Sequence, residues 1–437
     1  MSSSSSPEFP LTRRTFIGSA AALAAAPLLT KLPVAAFAAG SDRIKVGVIG
    51  TGGRGIGAAR NCLAADPAVQ IWALGDAFAD RVGDALNTLR KGSTSSRRPS
   101  PAYGDDRLAV TKERCFSGFD AYKQVIASGV DLVILTAPPH FRPLHLEAAI
   151  EAGKHVFAEK PVAVDPVGAR KIIAIGEIAA QKKLAIVAGT QRRYAPRYIE
   201  TMKRIRDGAI GELVGGQCYW LQEGLWHRGR KPEWTEMEYQ LRNWLYFTWL
   251  SGDHIVEQHI HNIDVMNWAF GGPPVKALGM GGRQSRTDPK YGDAYDHFSV
   301  EFEYANGARV QSFCRQAPNA MRRVGERIVG TKGVSTADGK ITGATKWEFT
   351  DEVADELVLE HVALIKSMRD GSPINDTRSV AESTLTAILG RASAYTGKEI
   401  NFAWMLGASK QDLTPPAYAF GPAPEAVVPV PGVTPLV

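Results

Sequence analysis

The chain has 437 residues, of which 44% are hydrophobic and 22% are charged, and this is the composition of a globular protein. The length provides for two domains with a sizeable buried core and excludes a fibrous or wholly disordered chain. The formal net charge is +6, but the basic residues are scattered along the chain and form no stripe. The sequence therefore predicts no nucleic-acid partner.

The N-terminal residues combine two arginines with a long apolar, alanine-rich run. Arg13-Arg14-Thr15-Phe16-Ile17-Gly18 resembles a twin-arginine export signal, and Ala36-Phe37-Ala38 fits the small-x-small pattern before a cleavage point. Prolines and a lysine interrupt the run, so it lacks the roughly 20 apolar residues that a spanning helix needs. We predict a signal peptide over residues 1–39, the twin-arginine translocation machinery as partner, a periplasmic or secreted location and no stable membrane span after processing. A disordered N-terminus or an uncleaved anchor is the alternative.

From Arg43 onward, short β-rich runs alternate with helical patterns. This alternation predicts an α/β protein whose N-terminal domain, residues 43–162, has a doubly wound parallel sheet. Strand-like segments dominate afterwards, and Asn306-Gly307 between two of them is a strong hairpin signal. Residues 163–405 are predicted to form an α+β domain on a large open, mainly antiparallel sheet. Residues 406–437 are rich in proline and are predicted to wrap a surface or a neighbouring subunit as an extended arm.

A glycine-rich turn follows the first predicted strand and opens a helix. The spacing Gly50-x-Gly52-x-x-Gly55 is typical of a Rossmann dinucleotide site, where glycines allow a tight turn and a close approach of the pyrophosphate. Asp76, at the end of the second predicted strand, is placed to accept hydrogen bonds from the ribose hydroxyls and would repel a 2′-phosphate. NAD is therefore the predicted cofactor, and Arg54 and Arg81 nearby keep NADP open. A glycine turn without a ligand is the remaining alternative.

Three further segments carry a family resemblance that extends from Arg43 to Phe402. They are Ala158-Glu159-Lys160-Pro161, Gly189-Thr190-Gln191-Arg192-Arg193-Tyr194 and the segment from Gly252 to Asp264. Together with the glycine turn, they resemble the glucose–fructose oxidoreductase / inositol dehydrogenase family (Gfo/Idh/MocA), and most of all its exported members. The predicted set of cofactor-binding residues is Gly50, Gly52, Gly53, Arg54, Gly55, Asp76, Thr136, Pro138, His140, Glu159, Lys160 and Gln191.

The same resemblance implies the catalytic residues. Lys160 would lie beside the nicotinamide and the reacting carbinol, where an ammonium stabilises an alkoxide as the hydride leaves. Glu257 and His261 are four residues apart, a spacing that places both on one face of a helix. His261, whose ordinary pKa lies near working pH, would be the general base, and Glu257 would orient it or stabilise its charge. Glu257 stands where the family usually has Asp. The alternative for His261 is a structural histidine that is buried in the core with its hydrogen bonds made.

Substrate residues are predicted in the cleft between the two domains. Polar and aromatic side chains there suit a sugar, and the predicted set is Arg192, Arg193, Tyr194, Trp226, His227 and His261. Domain-interface salt bridges are the alternative for the arginines, and an ordinary core or subunit contact is the alternative for the aromatic residues. The spacing His259-x-His261 does not put two ligands on one helical face, and the resemblance implies no metal, so no metal site is predicted.

These residues predict an NAD(P)-dependent oxidoreductase that acts on a CH–OH group of a sugar, glycoside or polyol and holds its cofactor tightly. One alternative is an NAD-dependent glycosidase or lyase that works by transient oxidation, elimination and re-reduction, which suits a compartment without free cofactor. A non-catalytic sugar-binding protein is the second alternative. The alternating apolar residues Phe298, Val300, Phe302 and Tyr304 predict a sheet covered on both faces, and hence a homodimer or homotetramer.

Overall fold

The structure, a computed structural model, describes residues 43–92 and 100–437 of the chain. The predicted signal peptide, residues 1–39, lies outside the described residues. As the sequence predicts, the described part begins with strands that alternate with helices. In chain order these elements are β1 (Ile44–Ile49), α1 (Gly53–Ala65), β2 (Val69–Asp76), α2 (Ala79–Lys91), β3 (Cys115–Ser117), α3 (Ala121–Ala127), β4 (Leu132–Leu135), α4 (Arg142–Glu151), β5 (His155–Ala158), α5 (Pro166–Gln181) and β6 (Ile186–Ala188).

The six strands form one parallel sheet in the order β3-β2-β1-β4-β5-β6. Separate apolar clusters cover its two faces, and strands covered on both faces are near-continuous apolar runs, as in Leu132–Leu135. The strand order reverses between β1 and β4, and in such sheets ligands bind outside the carboxyl ends of these strands. Because β6 ends at Ala188, the sheet continues beyond residue 162, where the sequence places the end of the domain.

The rest of the chain combines helices with a sheet of nine strands. In chain order its elements are α6 (Pro196–Arg206), β7 (Leu213–Gln222), α7 (Glu236–Arg242), α8 (Thr248–Ser251), α9 (His254–Glu257), α10 (Ile260–Phe270), β8 (Lys276–Gly282), β9 (His297–Glu303), β10 (Arg309–Gln316), β11 (Arg323–Gly330), β12 (Gly333–Ser335), β13 (Lys340–Gly343), β14 (Trp347–Glu348), α11 (Glu356–Arg369), α12 (Thr377–Thr396), β15 (Ile400–Asn401) and α13 (Phe402–Gly407).

The nine strands have the order β14-β13-β12-β11-β7-β10-β9-β8-β15. Every neighbouring pair is antiparallel except β7 with β10, so the predicted mainly antiparallel sheet is confirmed. The predicted hairpin at Asn306-Gly307 joins β9 to β10, and Gly307 has a φ of +80°, in the left-handed region that this turn favours.

The helix α12 lies between the two sheets. It packs on α5 from one side and on β8 and β9 from the other, and most of its residues are buried. This helix has core on almost every side, so its polar residues are buried along with its apolar ones. Later elements also complete the first domain, since Leu364 and Ile365 of α11 belong to the apolar cluster that covers β1 and β2.

The proline-rich arm lies on the surface of its own chain. The Leu413 N–H donates to Asp165 Oδ2 at 2.9 Å, and farther on the Tyr295 hydroxyl donates to the Pro429 carbonyl at 2.7 Å. The arm therefore touches both the first domain and the second. Within the described ranges, every helix falls short of the length or the apolar character that crossing a bilayer demands.

Substitution of Gly176, which lies at the contact between α5 and α12, tests how close that contact is, and Gly83 on α2 provides the control. A Cβ on Gly176 of α5 would lie 1.9 Å from Thr377 Oγ1, whereas a Cβ on Gly83 of α2 would meet no atom within 4 Å. We expect Gly176→Ala to lower the free energy of unfolding by about 1–3 kcal/mol through overpacking. Gly83→Ala should raise it by about 0.5–1 kcal/mol, because alanine loses less backbone entropy. Urea unfolding measures both, and equal effects of the two substitutions would contradict the close contact.

Candidate active site

The glycine turn between β1 and α1 is held by close backbone contacts. Gly50 has a φ of +91°, and a Cβ there would lie 2.2 Å from the Ala137 nitrogen. A Cβ on Gly55 would lie 2.0 Å from the Gly50 carbonyl oxygen, which also accepts a 2.6 Å hydrogen bond from the Thr136 hydroxyl. Gly50 and Gly55 therefore occupy positions where a side chain does not fit.

A cavity of about 410 Å³ opens in front of this turn. It lies at the carboxyl ends of β1, β2 and β4, at the point where the strand order reverses. Of the residues predicted to bind cofactor or substrate, those that line it are Gly50, Gly52, Gly53, Arg54, Asp76, Thr136, Pro138 and Trp226. The cavity size, the open N-terminus of α1 and the aromatic walls fit a dinucleotide.

Asp76 is fixed at the end of β2 by main-chain donors. Its Oδ2 accepts from the Thr51 N–H at 2.7 Å, and its Oδ1 accepts from the Phe78 N–H at 3.1 Å. Burial raises the pKa of Asp76, while these hydrogen bonds and Arg81 oppose the rise. Arg81 and Arg228 line the same cavity, so a carboxylate and two guanidinium groups surround the place predicted for the adenine ribose.

Arg54 and Glu159 pair with each other. The Arg54 Nε donates to Glu159 Oε1, and its second nitrogen contacts Glu360 Oε1 at 3.3 Å. A Cβ on Gly189 would lie 2.6 Å from the Glu159 carboxylate, so that side chain packs against β6. Arg54 therefore lines the cavity as a paired cation, and Glu159, predicted to bind the cofactor, lies outside the cavity.

Four further residues predicted to bind the cofactor also lie outside this cavity, namely Gly55, Lys160, His140 and Gln191. His140 is buried, and its Nε2 is 2.9 Å from the hydroxyl of Tyr418 in the C-terminal arm. Gln191 begins a short 3₁₀ turn, Gln191–Tyr194, just beyond β6. Neither side chain is part of the cavity wall.

Lys160 follows β5 and reaches the second domain. Its Nζ donates to the main-chain carbonyl of Glu257 at 2.6 Å and lies 3.7 Å from the Glu257 Oε1. Lys160 and Glu257 are thus brought together, with both side chains largely buried. Glu257 ends α9 and His261 lies in the first turn of α10, so the prediction that both residues share one continuous helix is wrong. A turn at Gln258 and His259 separates the two helices.

His261 is buried and stacks on Trp220, with ring centroids 5.7 Å apart. Burial, followed by the positive charges of Lys160 and Arg192, holds the pKa of His261 well below its usual range. The pKa of His261 therefore departs from the ordinary histidine value near working pH, because the site is desolvated and rich in cations. A neutral imidazole is the state that accepts a proton.

The residues that follow β6 and are predicted to bind sugar contact acidic side chains instead. Arg193 donates to Asp264 through its Nε and Nη2, at 2.8–3.1 Å, and the Tyr194 hydroxyl donates to Asp376 at 2.6 Å. Arg192 pairs with Glu326. The alternative of interface salt bridges thus describes both arginines, and Tyr194 is held by a hydrogen bond. Arg192 is also close enough to lower the pKa of His261.

The predicted aromatic residues of the loop after β7 line two different cavities. Trp226 is 44% exposed and lines the cavity at the glycine turn. His227 lines a second cavity, where its Nε2 lies 3.1 Å from the Tyr239 hydroxyl and 3.2 Å from the Lys290 carbonyl oxygen.

One glutamate and three phenylalanines of the site are missing from the sequence predictions. Glu326 on β11 pairs with Arg192, and its Oε1 accepts a hydrogen bond from the Asn262 side-chain amide at 2.5 Å. The alternation of β11 places Glu326 and Ile328 on the buried face, and this alternation is the signal that could have found the glutamate. Aromatic residues Phe78, Phe119 and Phe141 complete the cavity wall, and no spacing in the sequence links them.

Potential metal ligands do not converge in the described part of the chain. No group of three or more His, Cys, Asp or Glu side chains there has a geometry that could hold an ion. His259 instead lies 2.8 Å from the Ser312 hydroxyl.

Comparison with known families decides the class of the protein. Residues 44–189 match the oxidoreductase family with an NAD-binding Rossmann fold, and residues 198–336 match the GFO/IDH/MocA C-terminal domain. The chain belongs to the Gfo/Idh/MocA family. It is therefore an oxidoreductase with an NAD-binding domain, and the predicted fold class, enzyme class and cofactor are confirmed.

Relatives with named activities differ in how much of this chain they match. Inositol 2-dehydrogenase of Rubrobacter xylanophilus is 28% identical over 301 residues, 67% of this chain and 71% of that protein. The 2,7-anhydro-N-acetylneuraminate hydratase of Escherichia coli is 28% identical over 187 residues, 41% of this chain and 44% of that protein. The scyllo-inositol dehydrogenase of Lactobacillus casei, solved with NAD(H) and scyllo-inositol, has a TM-score of 0.61 at 18% identity, over 83% and 99% of the two chains, and shares the fold.

The steric role of Gly50 gives a direct test of the cofactor site. We expect Gly50→Ala to weaken NAD binding about tenfold or more, because the added Cβ forces the turn away from Ala137. Gly83→Ala in α2 is the matched control, since Gly83 does not line the cavity and a Cβ there would meet no atom within 4 Å. Titration calorimetry measures both affinities, and circular dichroism checks the fold. An unchanged affinity in Gly50→Ala would contradict the assignment.

Proposed function

We propose that this family member oxidises or reduces a CH–OH group of a sugar, glycoside or polyol. The observation that carries the proposal is the junction of Lys160, Glu257 and His261, where one cation and one buried imidazole meet at the interface of two domains. The Rubrobacter relative, an inositol 2-dehydrogenase, acts on a substrate of this class.

The roles of the residues follow from their charges and contacts. NAD, when bound, supplies the hydride acceptor or donor. The Lys160 ammonium binds the substrate oxygen and stabilises the negative charge that develops there. The neutral His261 imidazole accepts the hydroxyl proton. Glu257 orients Lys160 through its carbonyl and carboxylate, rather than orienting His261.

A substitution of Lys160 tests this mechanism. We expect Lys160→Met to lower kcat about 10²–10³-fold, because the methionine fills similar volume without the charge that stabilises the alkoxide. Lys346→Met, at an exposed position between β13 and β14, is the control and should leave kcat unchanged. The nicotinamide absorbance reports hydride transfer with inositols and aldoses as substrates. Full turnover in Lys160→Met would remove this lysine from the mechanism.

The pH dependence tests the state of His261. Because its pKa lies well below the usual value of about 6.5, the imidazole stays unprotonated as pH falls through that value. We therefore expect kcat/KM to lose no activity to this group between about pH 8 and about pH 6.5. A half-maximal rate near pH ~6.5 that disappears in His261→Asn would contradict this expectation.

A redox-neutral reaction is the second candidate, in which oxidation, elimination of the aglycone, addition of water and re-reduction follow each other. Two points favour the redox-neutral reaction: the proposed export and the hydratase relative, which is 28% identical over 41% of this chain. Incubation with aryl glycosides without added NAD separates the two candidates. Release of aglycone with no net change in nicotinamide absorbance supports the redox-neutral reaction, while accumulation of reduced cofactor supports a dehydrogenase.

We infer that NAD is preferred and that NADP is also accepted. Asp76 favours the free ribose hydroxyls, whereas Arg81 and Arg228 supply positive charge in the same cavity. Comparison of the Kd values for NAD and NADP tests this inference, and a tighter complex with NADP would overturn it.

We also propose that the protein is exported through the twin-arginine pathway to the periplasm or beyond. Support comes from the sequence alone, through Arg13-Arg14 and the apolar run that follows. Mass spectrometry of the exported protein should find a cleaved N-terminus near Ala38. Export that persists in the Arg13→Lys/Arg14→Lys variant would contradict the pathway.

A homodimer or homotetramer is the proposed assembly. The face of the nine-stranded sheet that turns away from α12 carries Leu278 and Met280, which are 50% and 72% exposed, and the stacked pair Tyr219 and Phe313. Apolar side chains of this kind are typical of a subunit interface. Sedimentation at micromolar concentration should give at least twice the monomer mass. A monomer would contradict the proposal.

A further inference from the structure

The C-terminal arm crosses the outer side of the cavity at the glycine turn. The Phe420 ring centroid lies 5.7 Å from that of Phe78 and 5.1 Å from that of Phe119. The Tyr418 ring lies 6.3 Å from Phe119 and 5.6 Å from Phe141. All three phenylalanines line the cavity. The two aromatic residues of the arm thus support the aromatic wall from behind.

A hydrogen bond fastens Tyr418 to the first domain. Its hydroxyl lies 2.9 Å from the Nε2 of His140, two residues beyond Pro138 of the cavity wall. Burial lowers the pKa of His140 to about 4 and raises the pKa of Tyr418 to about 12. Both groups are therefore uncharged at neutral pH, and the bond persists across the physiological range.

The same arm also binds the opposite wall of the cavity. The Gly421 carbonyl accepts from the Met237 N–H at 3.0 Å, and the Pro424 carbonyl accepts from the Gln240 side-chain amide at 2.9 Å. Both donors belong to α7, whose Leu241 lines the cavity from the second domain. Residues 418–424 therefore join the two walls, which come from different domains.

We propose that Tyr418 and Phe420 are positioning residues that hold the dinucleotide in its cavity, so that exchange of the cofactor requires the arm to detach. The proposal rests on the proposed function only in taking NAD(P) as the ligand of the cavity. A retained dinucleotide suits a protein that leaves the cytoplasm with its cofactor inside.

The exchange rate of bound cofactor tests this role. The full-length protein is loaded with radiolabelled NAD and chased with excess unlabelled NAD, with no sugar present. We expect Phe420→Ala and Tyr418→Phe to release label about tenfold faster than the unsubstituted protein, since lost contacts act mainly on dissociation. Phe420→Tyr should restore slow release. Val433→Ala, at a 77% exposed arm position, is the control.

Hydrogen exchange provides a second measurement that needs no substitution. The Met237 amide lies in the first turn of α7 and its partner is the arm carbonyl of Gly421, so its exchange reports detachment of the arm. We expect loading with NAD to slow this exchange several-fold. Wild-type release rates in both variants, or equal Met237 exchange with and without NAD, would overturn the proposal. Failure to oxidise sugars would refute the proposed function and leave these results unaffected.

Discussion

The contact between the Lys160 ammonium and the main-chain carbonyl of Glu257 joins the two domains at the proposed reacting centre. In a continuous helix this carbonyl would accept from the His261 N–H. That N–H instead faces the Gln258 carbonyl at 3.5 Å, because the helix is interrupted between α9 and α10. The interruption gives up one helical hydrogen bond and gains a charge-assisted one. It also turns His261 towards Trp220 and the same cation.

Buried acidic groups support this interruption and the interface around it. Asp253, with a φ of +68°, precedes α9 and accepts from the main chain of Tyr295 at 2.7 Å and from the Tyr395 hydroxyl at 2.6 Å. Burial alone would raise its pKa, but these bonds and His254 hold it below the usual range. The carboxylate thus stays charged inside the core, and Tyr395 links it to α12. Such buried groups are costly unless every bond is made, so they specify one arrangement of α9.

Much of the first domain could be predicted from the sequence, because strand runs, glycine spacing and short loops are local signals. Its extension to β6 and its completion by α11 could not, since these depend on contacts with later parts of the chain. The second sheet followed from its hairpin and its strand-like segments.

The break after Glu257 could not be predicted, since His254–Phe270 reads as one helical pattern and only the distant Lys160 compensates the lost bond. The acidic partners of Arg193 and Tyr194 lie far along the chain, at Asp264 and Asp376, and no local pattern connects such pairs. The proline-rich arm has no periodicity, so its path over His140 and α7 depends wholly on tertiary contacts.

Helix α11 shows that the first domain is completed by residues from near the other end of the chain. Its Leu364, Ile365 and Met368 share an apolar cluster with β1, β2 and α1, although the parallel sheet itself is finished at Ala188. During synthesis on the ribosome, the growing chain must therefore carry part of that sheet uncovered until residues 356–369 have emerged. The nucleotide domain matures after translation of the second sheet rather than before it, and molecular chaperones have a defined apolar face to shield in the meantime.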